Sequence, residues 1–130
     1  MVRIICIGNR FYYPDDFGIA VYEELITREL GSDIEVVEGG VGGMNLALYF
    51  EDEADIVIVD YGISDKKIMT QKDIALMDLY EFNHANAFLY LLKSITKEYT
   101  IYLCNEHYDK NKISHYADEV MSLARSFLCK

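Results

Sequence analysis

The chain has 130 residues, of which 52% are hydrophobic, so it can bury a core as one domain spanning residues 1–130. Its formal net charge of −10 repels phosphate backbones and argues against nucleic-acid binding. No apolar run approaches the roughly 18 residues that span a membrane. A strand pattern begins at Val2 and leaves no room for a signal peptide, so we expect a cytoplasmic protein that does not insert into membranes.

The first half of the chain alternates apolar runs with helical patterns. Short runs rich in β-branched residues predict buried strands, and apolar residues at helical spacing predict helices. The predicted elements are a strand at Val2–Ile7, a helix from Asp15 and Asp16 to Leu30 with Gly31 as its stop, a strand at Ile34–Val37, a glycine loop at 39–43, a helical segment at Met44–Phe50 and a strand at Ala54–Val59.

The second half continues the alternation. Its predicted elements are a loop or edge hairpin at Asp65–Gln71, a strand at Ile74–Leu79, a helix at Ala85–Ile95, a strand at Tyr99–Cys104 and a terminal amphipathic helix at Ile113–Leu128. This order predicts an α/β fold, a three-layer α/β/α sandwich with a mostly parallel twisted sheet of about five strands.

Polar residues follow several of the predicted strands. Asn9, the glycine loop, Asp60 and Asn105 come just after strands, and His84 opens a helix. Ligands of open α/β sheets bind beyond the carboxyl ends of the strands, so these features predict one common site.

Two carboxylates and an imidazole could form the centre of that site. Taken singly, Asp15 or Asp16 could cap a helix, Asp60 could cap a turn, and His84 could bond the backbone. Taken together, Asp15, Asp60 and His84 form a mixed oxygen and nitrogen set that suits a borderline divalent cation and leaves one position open. No local metal motif such as HExxH supports the set.

The glycine loop has two interpretations. It could be a turn that needs positive φ angles, or a place where the backbone of a peptide substrate comes close. It matches neither the GxGxxG pattern nor the lysine-containing phosphate loop, so we expect no organic cofactor.

The cysteines and serines match no common metal-binding, disulfide or nucleophile motif. The three cysteines lack CxxC spacing, which disfavours a zinc knuckle or a disulfide framework, and Cys6 and Cys104 are expected in the core. No serine lies in a GxSxG context.

The motifs and their order resemble those of the nickel–iron hydrogenase maturation proteases. The matching segments are 7–9 followed by Asp15, Asp16 and Gly18; Glu38 to Met44; Asp60 after an apolar strand; and His84 before an amphipathic helix. The resemblance covers residues 4 to 95. Here Phe17 follows the acidic pair in place of a small residue, Glu38 stands where the family usually has Asp, and Val41 replaces a common Thr.

The resemblance implies an endopeptidase that removes the C-terminal extension of a nickel-loaded hydrogenase large-subunit precursor. That precursor is the implied partner, and it supplies the nickel. Asp15, Asp60 and His84 are the implied metal-binding and catalytic residues. The implied substrate-binding residues, beside the scissile peptide, are Asn9, Asp16, Glu38, Gly39, Gly40 and Gly42. An acidic, compact chain would fit the branch that serves a coenzyme-F420-reducing hydrogenase.

Three other classes of protein remain open. A docking or maturation chaperone would bind the same large subunit without cutting it. A receiver-like signalling domain has similar acidic residues but needs a Lys after its last strand, where Asn105 and Glu106 stand. A nucleotide enzyme with an open sheet lacks its phosphate loop here.

Overall fold

A computed structural model describes residues 1–42, 44–62, 66–77 and 87–129 of the chain. The elements in chain order are β1 (Val2–Cys6), α1 (Phe17–Leu25), β2 (Ile34–Glu38), a 3-10 helix (Met44–Phe50), β3 (Asp55–Tyr61), β4 (Ile68–Thr70), α2 (Gln71–Leu76), α3 (Ala87–Ser94), β5 (Tyr99–Cys104), a short 3-10 helix (Lys110–Lys112) and α4 (Ile113–Leu128). None of the helices in these ranges has the length and apolar character needed to cross a membrane.

In these ranges the strands form one five-stranded sheet in the order β2-β1-β3-β5-β4. The first four strands of that order are parallel, and β4 runs antiparallel along the edge of β5. The register sets Cys6 of β1 opposite both Glu38 of β2 and Val59 of β3. The carboxyl ends of four strands therefore meet at one edge, and the predicted mostly parallel sheet of about five strands is confirmed.

Helices cover both faces of the sheet. Buried residues of α1 and α4 that pack on one face include Phe17, Val21, Leu25, Ala117, Val120, Met121 and Ala124. Buried residues of the first 3-10 helix, α2 and α3 on the other face include Leu46, Phe50, Ile74, Phe88, Leu91 and Leu92. Strand β3, at the centre of the sheet, lies between these apolar layers, which explains the continuous apolar sequence of Ile56–Val59. The predicted three-layer arrangement is confirmed.

The predicted strand at Ile74–Leu79 is wrong, because the described part of that segment belongs to helix α2. The cause is a local signal at its start: Thr70 accepts a hydrogen bond from the backbone N–H of Asp73, whose carboxylate in turn accepts one from the N–H of Thr70 at 2.9 Å. This reciprocal capping box starts a helix at Gln71. Ile74 therefore packs into the core as part of that helix and not as part of a strand.

Helix α1 is shorter than predicted. It ends at Leu25 rather than near Leu30, and its last turn tightens because the N–H and the hydroxyl of Thr27 both donate to the carbonyl of Glu24. Gly31, with φ of +83°, lies in the following turn rather than directly after the helix.

The described cysteines are free thiols. Cys6 is buried, as expected. Cys104, expected in the core, is only half-buried, because it ends β5 and its Sγ contacts the carbonyl of Glu106 at 3.1 Å.

Candidate functional site

Several of the predicted site residues that the structure describes lie at the carboxyl edge of the sheet. Asn9 follows β1, Glu38 ends β2, and Asp60 is the penultimate residue of β3. Asp15 lies on the loop between β1 and α1, within electrostatic range of Asp60. His84 and Gly43 lie outside the described residues, so the predicted three-residue set stays a prediction.

Asp60 is a buried carboxyl group at the end of the apolar strand β3. Its side chain is 7% exposed, and its Oδ1 accepts a hydrogen bond from the N–H of Tyr61 at 2.7 Å. Loss of hydration raises the pKa of Asp60 to about 8; the Tyr61 bond opposes this shift, and the negative charge of Asp15 adds to it. Asp60 therefore holds a proton at neutral pH until a cation or another partner displaces it.

Asp15 is the more exposed member of the pair. Partial desolvation, followed by the charge of neighbouring Asp16, raises its pKa above the ordinary value. Its backbone carbonyl accepts the N–H of Asn9 at 3.0 Å, which closes the neck of the loop. A Cβ on Gly8 would lie 2.7 Å from that same carbonyl, so only glycine allows the neck to close this tightly.

Asn9 shapes the loop from within. Its Oδ1 accepts the N–H of Phe11 at 3.1 Å, and its carbonyl accepts the N–H of Tyr12 at 3.1 Å. Phe11 and Tyr12 are thereby turned outward, with exposed fractions of 86% and 66%. The loop thus presents aromatic side chains to solvent next to Asp15.

Asp16 has a partner that the sequence does not reveal. It precedes the first residue of α1, but its side chain makes no capping hydrogen bond. Instead its Oδ1 accepts a hydrogen bond from the hydroxyl of Tyr108 at 2.8 Å. The side chain of Asp16 therefore does not serve the capping role that we considered for the acidic pair, and its role toward a substrate stays a prediction.

The glycine loop packs against β1 on one side and α3 on the other. The N–H of Gly39 donates to the carbonyl of Cys6, and the N–H of Gly8 donates to the carbonyl of Gly40, each at 2.8 Å. Gly42 has φ of +82°, and a Cβ there would lie 2.7 Å from the Cβ of Phe88. Phe88, the second residue of α3, is thus held against the loop.

The structure bears out the turn interpretation of the glycine loop, and the substrate interpretation stays a prediction. Gly40 and Gly42 have positive φ, which fits the turn. At Gly42 the close neighbour is Phe88 of the same chain, whereas a Cβ on Gly40 would meet nothing within 4 Å. Among the described residues of the loop, the backbone at Gly40 therefore has open space beside it, and the neighbouring side chain of Val41 is exposed.

Glu38, at the end of β2, forms an exposed ion pair with Arg10. The Oε1 of Glu38 accepts from Arg10 Nη2 at 3.4 Å, while Arg10 Nη1 donates to Glu23 at 3.0 Å. Arg10 ties the loop after β1 to β2 and α1, a link that the sequence analysis missed because no local pattern marks it.

Asp15 and Asp60 are the two described carboxyl groups that we predict as cation ligands. Across the residues that the structure describes, no group of three His, Cys, Asp or Glu side chains could hold a metal ion. Burial raises the pKa of Cys6 and of Cys104, so both remain protonated and poor ligands. A three-ligand set thus needs a residue from outside the described ranges, and His84 is the one that we predict.

Comparison of the sequence with protein-family profiles and with curated proteins finds no match. The fold is similar to that of several solved structures. One is the hydrogenase maturating endopeptidase HybD from E. coli, with a TM-score of 0.73, 18% identity and coverage of 96% of this chain and 92% of that one. Another is the [NiFe] hydrogenase maturation protease HycI from Thermococcus kodakarensis KOD1, with a TM-score of 0.70, 15% identity and coverage of 95% and 92%.

A third is a hydrogenase 2 maturation peptidase from the Thaumarchaeota archaeon SCGC_AB-539-E09, with a TM-score of 0.60, 18% identity and coverage of 98% and 97%. In all three pairs the match extends over nearly the full length of both chains. The fold that the motif resemblance implies is therefore confirmed.

Proposed function

We propose that this chain is an endopeptidase that removes the C-terminal extension of a nickel-loaded hydrogenase large-subunit precursor and recognises the bound nickel. The observation that carries the proposal is the electrostatic interaction of Asp15 with the buried Asp60, together with the hydrogen bond by which Gly8, on the loop that carries Asp15, donates to the carbonyl of Gly40 in the glycine loop. Asp15 and Asp60 lie at the carboxyl edge of a sheet whose fold is similar to that of hydrogenase maturation endopeptidases. That edge is where open α/β sheets bind their ligands.

The carboxyl pair suits a cation that arrives with the substrate. Asp60 is buried and protonated in the free protein, so it gives up a proton when it becomes a ligand. Asp15 is more exposed and offers a second oxygen at the mouth of the site. With His84 as a nitrogen ligand, the set would complete the coordination of nickel that the precursor already holds.

The surroundings of the pair suit an extended peptide. The open backbone at Gly40 and the exposed side chain of Val41 lie on the loop that follows β2, which is hydrogen-bonded to Gly8, and the exposed aromatic ring of Phe11 lies on the loop that carries Asp15. Backbone contacts at a glycine tolerate many peptide sequences, and apolar side chains add affinity.

The same arrangement explains selectivity for loaded precursor. A substrate anchored through its metal holds its scissile bond at a fixed position, and such positioning supplies several kcal/mol of a reaction barrier. A precursor without nickel lacks the anchor, so its extension would meet the glycine loop only transiently.

Release of the extension tests the proposal. Purified protein is incubated with nickel-loaded and nickel-free precursor, and loss of the C-terminal peptide is followed by mass spectrometry. Cleavage of the loaded precursor alone is expected. Binding without cleavage would favour the docking chaperone instead, and cleavage of both precursors at one rate would contradict nickel recognition.

A further inference from the structure

We propose that Tyr108 is a positioning residue, which holds the Asp16 carboxylate out of the site and leaves Asp15 as the acidic residue beside Asp60. This inference rests on the proposed function, because it concerns the same carboxyl pair. It explains how two adjacent acidic residues at one loop end take different roles.

The geometry is a two-point clamp between distant parts of the chain. The hydroxyl of Tyr108 donates to Asp16 Oδ1 at 2.8 Å, and the backbone carbonyl of Tyr108 accepts the hydroxyl of Tyr13 at 2.6 Å. Tyr13 and Asp16 both belong to the end of the loop that carries Asp15. Together with the Asn9 contact at the neck, these bonds hold Asp15 from both sides.

Tyr108 can act as a fixed anchor because it is buried. It is 3% exposed and lies between β5 and the short 3-10 helix at Lys110–Lys112. Its ring packs against Phe17 and Tyr13, with centroid distances of 5.4 Å and 5.0 Å. Because the ring is fixed by packing, its hydroxyl group has a fixed position. The hydrogen bond from this hydroxyl therefore holds the Asp16 carboxylate in one orientation.

The clamp matters because Asp16 has competing options. It stands at the N-terminus of α1, where backbone N–H groups attract carboxylates, and its charge acts directly on Asp15. A released Asp16 would turn toward the helix end or toward the site and would change the charge that an arriving cation meets. Tyr108 prevents both movements while the carboxylate of Asp15 stays available.

The test compares Tyr108→Phe with a matched control. Tyr102→Phe also removes a hydrogen bond from a tyrosine to a carboxylate, since the hydroxyl of Tyr102 donates to Glu119 at 2.9 Å on the α4 side of the sheet. Both changes keep the ring, so packing is preserved. Each variant is then repeated in an Asp16→Ala background, in which Tyr108 has no carboxylate to hold.

The rate of peptide release from loaded precursor is the first readout. We expect Tyr108→Phe to lower it about tenfold, whereas the same change in the Asp16→Ala background lowers it less than about twofold, since interacting residues show non-additive effects. The Tyr102→Phe control should change it less than about twofold in either background. A tenfold loss that persists without the Asp16 carboxylate, or no loss beyond that of the control, would overturn the inference.

Crystal structures of the wild-type and Tyr108→Phe proteins give a readout that does not depend on cleavage. We expect the Asp16 carboxylate to leave its wild-type position in the variant, and an unchanged position would overturn the inference. If the wild-type protein releases no peptide from loaded precursor, the proposed function fails. The two crystal structures alone then decide on the role of Tyr108.

Discussion

Burial of Asp60 at the end of β3 raises its pKa well above that of an ordinary carboxyl group, and the negative charge of Asp15, on the loop after β1, adds to this shift. The pair consequently holds one proton at neutral pH in the metal-free protein, with Asp60 as the protonated member. A cation that binds the pair replaces this proton. Under the proposed function, proton release, metal contact and substrate recognition would be linked at this carboxyl pair.

The pH dependence of stability follows from this pair. The pKa of Asp60 is about 8 in the folded protein and about 3.9 in an unfolded chain. Between about pH 4 and pH 8 the folded protein therefore binds one more proton at Asp60 than the unfolded chain does. The contribution of this proton to the free energy of unfolding is complete below about pH 4 and is lost as the pH rises toward 8. The loss amounts to at most about 1.4 kcal/mol per pH unit.

Urea unfolding of metal-free protein across this pH range measures the effect. We expect Asp60→Asn to gain stability relative to the wild type as the pH rises, because the amide needs no proton. Asp55→Asn, at the half-buried start of the same strand, controls for the loss of a carboxyl group. If the free energy of unfolding changed with pH in the same way for the wild type and for Asp60→Asn, the proton would not be held by Asp60.

The glycine loop gives a prediction about stability. Gly42→Ala should destabilise the fold by about 2–4 kcal/mol, because alanine disfavours the positive φ and its Cβ would overlap Phe88. Gly31→Ala is the matched control: its φ of +83° nearly equals that of Gly42, but its Cβ would meet open space. It should cost only about 1 kcal/mol. Equal losses in chemical denaturation would show that Phe88 does not press on the loop.

The exposed ring of Phe11 should contribute to substrate binding. Phe11→Ser is expected to raise KM for the loaded precursor about tenfold with little change in kcat, as the loss of an apolar contact at an interface typically does. Leu76→Ser is the control, since Leu76 is equally exposed, at 87%, on a helix that starts near the opposite edge of the sheet. Equal KM values for both variants would show that Phe11 does not contact the substrate.

The sequence predicts the layers and strands of this fold because the signals involved are local. A continuous apolar run such as Ile56–Val59 is typical of a strand inside a sheet that is covered on both faces. The error at Ile74–Leu79 has a local cause too. A β-branched residue such as Ile74 is typical of a strand, but the capping box of Thr70 and Asp73 starts a helix and places Ile74 on its buried face.

The site is predictable only in part. Asp15, Asp60 and the glycine loop follow strands, so topology alone places them at one edge. The contacts of Asp16 with Tyr108 and of Glu38 with Arg10 depend on side-chain packing between segments far apart in sequence, and no spacing rule encodes them. For the same reason the sequence cannot say which of two adjacent carboxylates faces Asp60.

Under the proposed function, Asp15 and Asp60 act together on a nickel-loaded precursor. The most direct test is mass spectrometry of that precursor after incubation with the wild-type, Asp15→Asn, Asp60→Asn and His84→Ala proteins. Asp118→Asn, on the exposed side of α4, serves as the charge control. We predict loss of the C-terminal peptide with the wild-type and Asp118→Asn proteins and an intact precursor with the other three. Full cleavage by Asp15→Asn or Asp60→Asn would contradict the account.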